Sequence, residues 1–145
     1  FSSSYIREII MDGNFELVSK MLNRNWRMTG IVVKGDQKAR QINFPTANLH
    51  PEEKILPKMG VYCVKASIES KIYKGVANFG YRPTVDGSTL LLEAHLFEFN
   101  EDIYGKELTV EFLTFIRAEQ KFDNFEKLTK QIQKDIITAK NYHQI

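Results

Sequence analysis

Residues 60–79, with the sequence GVYCVKASIESKIYKGVANF, decide the fold because their hydrophobicity alternates on both sides of a short polar turn. The first half carries an apolar side chain at every second position: Tyr62, Val64, Ala66 and Ile68. This two-residue period is typical of a half-buried β-strand. Residues 69–71 are polar and residues 72–79 return as the partner, so the stretch predicts a β-hairpin.

Strand-like patterns continue on both sides of this hairpin. Residues 31–33 predict a short strand, residues 90–99 a long strand that is apolar on both faces, and residues 107–117 an alternating one. Asp123 is the predicted N-cap of a C-terminal helix, with Glu126 three residues later. The apolar stripe of that helix is Phe125, Leu128, Ile132, Ile136 and Ala139. The pattern predicts a mainly β protein: a small closed antiparallel barrel of five or six strands with the helix packed outside it.

The first 25 residues have a helical pattern instead. Three isoleucines at helical spacing follow a serine-rich cap and precede Asp12-Gly13, which ends the run. Asn14 is the predicted cap of a second short helix. Two helices of this size cannot form a core alone, so we expect them to pack on the rest of this chain or on a part outside it.

Composition bounds the possible function classes. The chain has 145 residues, 43% hydrophobic and 26% charged, as expected for one folded domain. A net charge of +2 gives no electrostatic case for binding nucleic acid or an anionic membrane. Cys63 is the only cysteine, so no internal disulfide forms, which fits a reducing compartment. The sequence begins at Phe1 and shows no signal peptide or membrane-spanning run, so we expect a cytoplasmic fragment of a longer protein.

The segment from Gly30 to Asn48 is the first candidate for chemistry. Its middle is polar and basic, and a glycine-flanked loop that contains Arg40 suits an oligophosphate. The Thr46 hydroxyl and the Asn48 amide oxygen are neutral ligands that Mg²⁺ accepts alongside substrate phosphates. The phosphate-loop motifs G-x-x-x-x-G-K-[ST] and G-x-G-x-x-G are absent. An ordinary solvated loop closed by a Pro-Thr turn stays open as the structural alternative.

Glu93 is the second candidate, because it interrupts an apolar strand between Leu92 and Ala94. A carboxylate buried there without a partner would be costly. It therefore lies at a barrel mouth, where it could act as a general base, or it forms a structural ion pair with an Arg or Lys. The residues alone leave both interpretations open.

The segment that joins the last strand to the helix is the third candidate. Arg117 could reach an anionic or polar ligand, and Phe122 could stack on a flat ring. In the structural alternative, Arg117 pairs with Glu119 and Phe122 is a hydrophobic staple for the helix.

An ordered set of short motifs gives these candidates a common context. It comprises Phe44-Pro45-Thr46-Ala47-Asn48-Leu49, Leu56-Pro57, Gly60-Val61-Tyr62, Gly75-Val76-Ala77-Asn78-Phe79-Gly80, Arg82-Pro83-Thr84, Glu93-Ala94-His95-Leu96, Tyr104-Gly105 and Arg117-Ala118-Glu119. From about residue 27 to residue 136, the chain resembles riboflavin kinase in the form found as the C-terminal module of bacterial bifunctional FAD synthetases.

The resemblance implies a six-stranded antiparallel Greek-key barrel with a C-terminal helix. It also implies a phosphotransferase that uses MgATP to phosphorylate the 5′-hydroxyl of riboflavin, giving FMN and ADP, with Glu93 as the catalytic base. The implied ATP-binding residues are Gly35, Arg40, Thr46 and Tyr104; the implied Mg²⁺ ligands are Thr46 and Asn48; the implied flavin-binding residues are Arg117, Gln120 and Phe122.

The first residues resemble a different module. Ser2-Ser3-Ser4-Tyr5-Ile6-Arg7 is similar to a Ser-Ser-x-x-Ile-Arg segment near the end of the adenylyltransferase module that precedes the kinase. This implies that residues 1–25 are the helical tail of that module with its linker, and that residues 26–145 are the riboflavin kinase domain. We expect FAD formation only in the full-length protein, where the adenylyltransferase module lies in cis.

Two other classes stay open. A non-catalytic flavin- or nucleotide-binding barrel is supported by Gln37, Ala39 and Asn43, which stand where the family's phosphate loop frequently has glycine. An oligonucleotide-binding barrel would need a basic face interleaved with exposed aromatic residues, and the near-neutral charge argues against it.

Overall fold

The computed structural model describes residues 2–34 and 46–145. Within these ranges the chain forms three helices, α1 (Ser3–Met11), α2 (Phe15–Leu22) and α3 (Phe125–His143). The same ranges contain six strands: β1 (Trp26–Ile31), β2 (Ala47–Leu49), β3 (Gly60–Ile68), β4 (Lys71–Thr84), β5 (Gly87–Leu96) and β6 (Glu107–Ala118). The mainly β class, with short N-terminal helices and a C-terminal helix, is therefore confirmed.

The strands form one antiparallel sheet in the order β1-β6-β3-β4-β5-β2. Consecutive hairpins join β3, β4 and β5, and β6 returns beside β3, which is a Greek-key arrangement. The sheet curls until its edges touch, where the Val33 N–H donates to the Asn48 carbonyl oxygen at 2.7 Å. Gly30 allows this approach, since an added Cβ would lie 3.0 Å from the His50 carbonyl oxygen. In place of the predicted closed barrel, the six strands form a curled half-barrel, whose two edges meet at this isolated bridge.

The predicted hairpin is the centre of this sheet. Strands β3 and β4 pair along their length, and Glu69 and Ser70 form a two-residue turn with φ of 49° and 72°. Positive φ at both turn residues matches the twist of the flanking strands. The fully buried side chains on the inner face of the strands are Met28, Leu49, Tyr62, Val64, Ala66, Phe79, Leu92, Leu108, Val110 and Phe112.

The N-terminal helices pack on the barrel. Ser2 caps α1 and Asn14 caps α2, as the sequence predicts. Phe15 on α2 is fully buried, and its ring centroid lies 5.4 Å from that of Tyr62 and 5.2 Å from that of Phe112. Helix α2 therefore packs on the rest of this chain, which is one of the two partners that the sequence left open.

Helix α3 covers part of the outer face of the sheet, in a second cluster made by Val61, Cys63, Val76, Phe97 and Ala139. It begins one residue later than predicted. Asn124 has an extended backbone, and its side chain accepts from the Lys127 N–H at 2.9 Å, so Asn124 is the N-cap. The prediction of Asp123 as the cap is wrong; its carboxylate pairs with the Lys127 ammonium at 3.0 Å.

Two strands also differ from their predicted bounds. Strand β1 lies earlier, because Trp26–Ile31 pairs with β6 whereas Val33 crosses to Asn48 on the opposite edge. Strand β5 ends at Leu96 rather than at residue 99, because Glu98 adopts a left-handed φ of 54° that leaves the extended conformation.

Candidate active site

Three polar residues form a row across neighbouring strands on the outer face of the sheet. Asn48 on β2 pairs with Glu93 on β5, and Glu93 pairs with Asn78 on β4. Directly opposite residues of an antiparallel pair share one face, with Cβ atoms about 4.5–5.5 Å apart. The fold therefore brings the two predicted site residues Asn48 and Glu93 together and adds Asn78 beside them.

The Glu93 carboxylate is held by Arg82. The Arg82 Nε–H donates to Glu93 Oε1, and the two side chains are 25% and 22% exposed. The same guanidinium donates from Nη1 to Glu119 Oε1 at 3.3 Å and to the Tyr81 carbonyl oxygen at 2.8 Å. An ion pair with an arginine, one of the two interpretations of Glu93, is therefore present. The carboxylate nevertheless stays accessible to a ligand.

Glu119, in the segment after β6, lies against Gly80 beside this cluster. A Cβ at position 80 would meet the Glu119 carboxylate, which is the far end of a flexible side chain and could move aside. Glu119 precedes the segment that carries Gln120 and Phe122. Arg82 therefore links Glu93 to the segment with the predicted flavin-binding residues.

The Asn78 side chain carries a buried polar atom without a partner. Its Oδ1 atom accepts no hydrogen bond from any residue in the ranges 2–34 and 46–145. Buried polar atoms are nearly always hydrogen-bonded in native proteins, so this oxygen calls for a specific explanation.

Arg117 lies in the same row, on β6, but its guanidinium is already bound by other groups of the protein. It lies opposite Val61, which in turn lies opposite Asn78. Its Nε–H and Nη2–H donate to the Asp135 carboxylate at 2.9 and 2.8 Å, and the two side chains are only 16% and 6% exposed. The alternative in which Arg117 pairs with Glu119 is wrong, because Arg82 takes Glu119 and Asp135 takes Arg117.

Phe122 and Gln120 lie beside the Arg117–Asp135 ion pair. The Arg117 guanidinium carbon lies 5.8 Å from the centroid of the Phe122 ring. Both residues line a surface cavity of about 290 Å³ together with Lys121, Asp123, Lys127, Lys130, Gln131 and Lys134. Phe122 stands three residues before the start of α3, so it is not at the position of a hydrophobic staple.

Tyr104 lies at the start of the predicted phosphate loop. Its side chain is 58% exposed, and the Lys34 ammonium lies 5.3 Å from its ring centroid. The Gly105 N–H donates to the Val32 carbonyl oxygen at 2.9 Å, which ties the turn around Tyr104 to that end of β1. Gly35 and Arg40, the other predicted residues of this loop, lie outside the described residues.

Asn48 lies opposite Glu93, and Thr46 lies two residues before Asn48 in the chain. Asn48 is 4% exposed, and its Nδ2–H donates to the Thr46 carbonyl oxygen at 3.3 Å, so its Oδ1 atom points away from that contact. The described part of the chain holds no cluster of three or more His, Cys, Asp or Glu side chains suited to a metal ion. A hydroxyl and an amide oxygen fit Mg²⁺ bound mainly through substrate phosphates.

Two titratable groups near α3 have shifted pKa values without belonging to this site. Burial raises the pKa of the Cys63 thiol to about 12, so the thiolate that nucleophilic chemistry requires is scarce at neutral pH. Burial lowers the pKa of His143, against the opposing effect of its contact with the Gly75 carbonyl oxygen.

Three residues of this region had no assigned role from the sequence: Asn78, Arg82 and Asp135. Asn78 and Arg82 are four positions apart on β4, so strand periodicity places them on one face. The β4–β5 register places Asn78 opposite Glu93, and that register is visible only in the structure.

Comparison with known proteins identifies the family. The family model described as riboflavin kinase, or flavokinase, matches residues 22–143. The chain belongs to the riboflavin kinase family. It is 44% identical to the bifunctional riboflavin kinase/FMN adenylyltransferase of Haemophilus influenzae and 41% identical to that of Bacillus subtilis. Each match covers 97% of this chain and 46% of the relative, so the chain spans about half the length of these curated proteins.

Solved structures agree with the family at the level of the fold. A crystal structure described as a macrolide-efflux protein from Streptococcus pneumoniae has a TM-score of 0.84 at 38% identity, over 92% of this chain and 44% of that one. The riboflavin kinase of Trypanosoma brucei has a TM-score of 0.57 at 23% identity, over 81% of this chain and 79% of that one. Within residues 2–34 and 46–145, none of the helices has the length and apolarity needed to cross a membrane.

Proposed function

We propose that this chain transfers the γ-phosphoryl group of ATP to the 5′-hydroxyl of riboflavin, giving FMN and ADP. The observation that carries the proposal is Glu93, a partly exposed carboxylate between two asparagine side chains on the outer face of the sheet. Family membership supports the same reaction.

Glu93 acts as the general base. The bond from the riboflavin 5′-oxygen to the γ-phosphorus forms as the bond from that phosphorus to the β,γ-bridging oxygen breaks. The hydroxyl proton passes to the Glu93 carboxylate, and ADP leaves with the bridging oxygen. Phosphoryl transfer requires mainly positioning and charge stabilisation, and Arg82 supplies positioning by fixing the carboxylate.

Thr46 and Asn48 hold Mg²⁺. The ion supplies neutralisation of the oligophosphate charge. The Thr46→Ala variant should lose turnover most at limiting Mg²⁺ and recover part of it at high Mg²⁺, while its melting temperature stays close to that of the wild type. Thr138→Ala, on the exposed face of α3, is the control for the same substitution. Equal Mg²⁺ dependence in both variants would contradict the assignment.

The two substrates approach from opposite ends of the row. ATP binds near Tyr104 and Lys34, with Gly35 and Arg40 as further contacts. The flavin ring lies at the other end, against Phe122 and Gln120. Arg117 acts there by orienting Phe122, since Asp135 and the Ala118 carbonyl oxygen already engage its guanidinium.

In the longer protein, residues 1–25 are the tail of an adenylyltransferase module with its linker, residues 26–145 form the kinase domain, and the protein is cytoplasmic. Helix α2 of that tail packs Phe15 into the core of the kinase domain. The test of the proposed function is to incubate the purified chain with riboflavin, ATP and Mg²⁺ and to separate the flavins by chromatography. We expect FMN that depends on ATP, and no comparable formation of FAD. Riboflavin binding without FMN formation would favour the non-catalytic flavin-binding barrel.

A further inference from the structure

Asn78 is the polar residue that the proposed reaction leaves without a role. Its Oδ1 atom is buried and has no partner among the described residues, although it lies one strand away from Glu93. A buried acceptor without a hydrogen bond lowers the stability of the folded protein, and an apolar side chain of similar size would avoid that cost. The position is therefore better suited to a ligand than to the folded protein alone.

The chemistry of the position restricts that ligand. An amide oxygen accepts hydrogen bonds, so its partner must be a donor. The neighbouring Glu93 carboxylate is also an acceptor, held by Arg82 on one side. Two acceptors on directly opposite residues, with Cβ atoms about 4.5–5.5 Å apart, suit two neighbouring hydroxyls of one polyol chain.

The order of residues along the row gives the direction of that chain. Asn48 lies on one side of Glu93, towards the proposed Mg²⁺ and phosphates, and Asn78 lies on the other side. Beyond Asn78 come Val61 and then Arg117, which lies beside Phe122. With strands about 4.8 Å apart, Asn78 lies one strand from the reacting hydroxyl towards the flavin ring. This is the position of the ribityl chain.

We propose that the Asn78 Oδ1 atom accepts a hydrogen bond from the 4′-hydroxyl of riboflavin, next to the 5′-hydroxyl that reacts. Asn78 is then a specificity residue that selects a flavin with an intact polyol chain and fixes the 5′-oxygen beside Glu93. This inference rests on the proposed riboflavin kinase activity, and it adds a substrate contact to it.

The first experiment separates a substrate contact from a structural role. Asn78→Leu removes the acceptor at nearly constant size. We expect the kcat/KM for riboflavin to fall roughly 5- to 100-fold while the KM for ATP changes less than about twofold. We also expect the melting temperature to stay equal or to rise, because the unsatisfied oxygen is gone. Asn100→Leu, at an exposed position, is the control substitution. A fall in melting temperature together with activity would overturn the proposal.

The second experiment tests the contact itself. Wild-type protein should use 4′-deoxyriboflavin roughly 5- to 100-fold less efficiently than riboflavin, and Asn78→Leu should use both flavins equally within about twofold. Undiminished discrimination in the variant would show that another group reads the 4′-hydroxyl. If Asn78→Leu does not fold, the pair Asn78→Thr and Asn78→Val replaces it, and only the threonine variant should keep part of the discrimination.

The inference and the proposed function fail in different ways. If the wild type forms no FMN, the proposed function is wrong, and the Asn78 contact is then tested by flavin-fluorescence titration with riboflavin and its 4′-deoxy analogue. If FMN forms but Asn78→Leu discriminates like the wild type, the kinase assignment stands and the role of Asn78 is rejected.

Discussion

Two arginines on the same sheet bind carboxylates in contrasting ways. Arg117 donates from Nε and Nη2 to both oxygens of Asp135, which also accepts from Gln131 at 3.0 Å. Arg82 contacts a single oxygen of Glu93 and shares its guanidinium with Glu119. The first pair is nearly closed to solvent, whereas the second is about a quarter exposed.

The difference separates a structural pair from a functional one. A carboxylate whose lone pairs are all used by the protein, like that of Asp135, has nothing left for a substrate. The Glu93 carboxylate is bound by Arg82 through Oε1 and is 22% exposed, and the Asn78 oxygen, unsatisfied among the described residues, lies one strand away. In this sheet, the side chains that we propose to contact the substrate are those whose hydrogen-bonding capacity is not fully used within the described residues.

The largest expected effect is a loss of turnover when the partly exposed Arg82–Glu93 pair is altered. Glu93→Gln keeps size and hydrogen bonding but removes the base, so turnover should fall roughly 100- to 10,000-fold, as for other general bases. The melting temperature should change little. Single-turnover FMN formation and thermal melting on the same preparation measure both quantities.

Glu119→Gln is the matched control for this variant, because it alters the other carboxylate on Arg82. We expect its turnover to fall less than about tenfold. An equal loss in the two variants would mean that the Arg82 network, rather than proton transfer to Glu93, determines the rate.

The buried Arg117–Asp135 pair should respond in the opposite way, with a large loss of stability and a small loss of turnover. Asp135→Asn leaves the Arg117 guanidinium buried without its counter-charge, which typically costs about 3–5 kcal/mol of unfolding free energy. The protein that remains folded at low temperature should keep most of its turnover at saturating riboflavin, and any loss should appear in the KM for riboflavin, because Arg117 orients Phe122. Urea unfolding measures the loss. Asp123→Asn breaks an exposed pair with Lys127 and should cost less than about 1 kcal/mol.

Phe122 tests the flavin end of the row. Phe122→Ala removes a stacking surface worth about 0.5–1.5 kcal/mol, so the KM for riboflavin should rise roughly 2- to 12-fold. The KM for ATP should stay nearly constant, because Tyr104 and Lys34 lie elsewhere. Steady-state kinetics with each substrate varied in turn decides the matter, and parallel changes in both constants would assign Phe122 a structural role.

The smallest expected effect concerns pH and lies outside both pairs. Burial lowers the pKa of His143 below its unfolded value of about 6.5. The unfolded chain therefore binds more protons between these two pKa values, so stability falls as pH decreases through 6.5. His143→Gln should lose this part of the pH dependence. Melting temperatures of both proteins from pH 7.5 to 5.5 provide the comparison, and identical slopes would contradict it.

The fold was largely predictable because its centre obeys strong local rules. The alternation in residues 60–79 predicted the β3–β4 hairpin, and the structure confirms it. Local rules failed where two neighbouring residues can serve the same purpose. Asp123 and Asn124 are both good N-caps, and only the backbone conformation shows that Asn124 is used. Strand β1 was misplaced because its mixed sequence, WRMTGI, lacks a clear two-residue period.

The candidate site was predictable only in part, because it depends on register. The sequence singled out Asn48 and Glu93 as unusual in their own segments, and the β2–β5 pairing brings them together. No local pattern showed that Arg82 would take Glu93 and Glu119, or that Arg117 would take Asp135 across the gap between β6 and α3. Long side chains choose partners in three dimensions, so such pairs become visible only once the strands are aligned.

The burial of Phe15 has a consequence for how such a domain can be exchanged between genes. The ring fills the interior beside Tyr62 and Phe112, although it comes from a helix that precedes the first strand. A recombination breakpoint between residues 22 and 26 would transfer every strand but leave a void in the middle of the protein. A breakpoint before Asn14 would carry the filling helix along with its cap. The smallest inheritable unit of this architecture is thus the barrel together with α2.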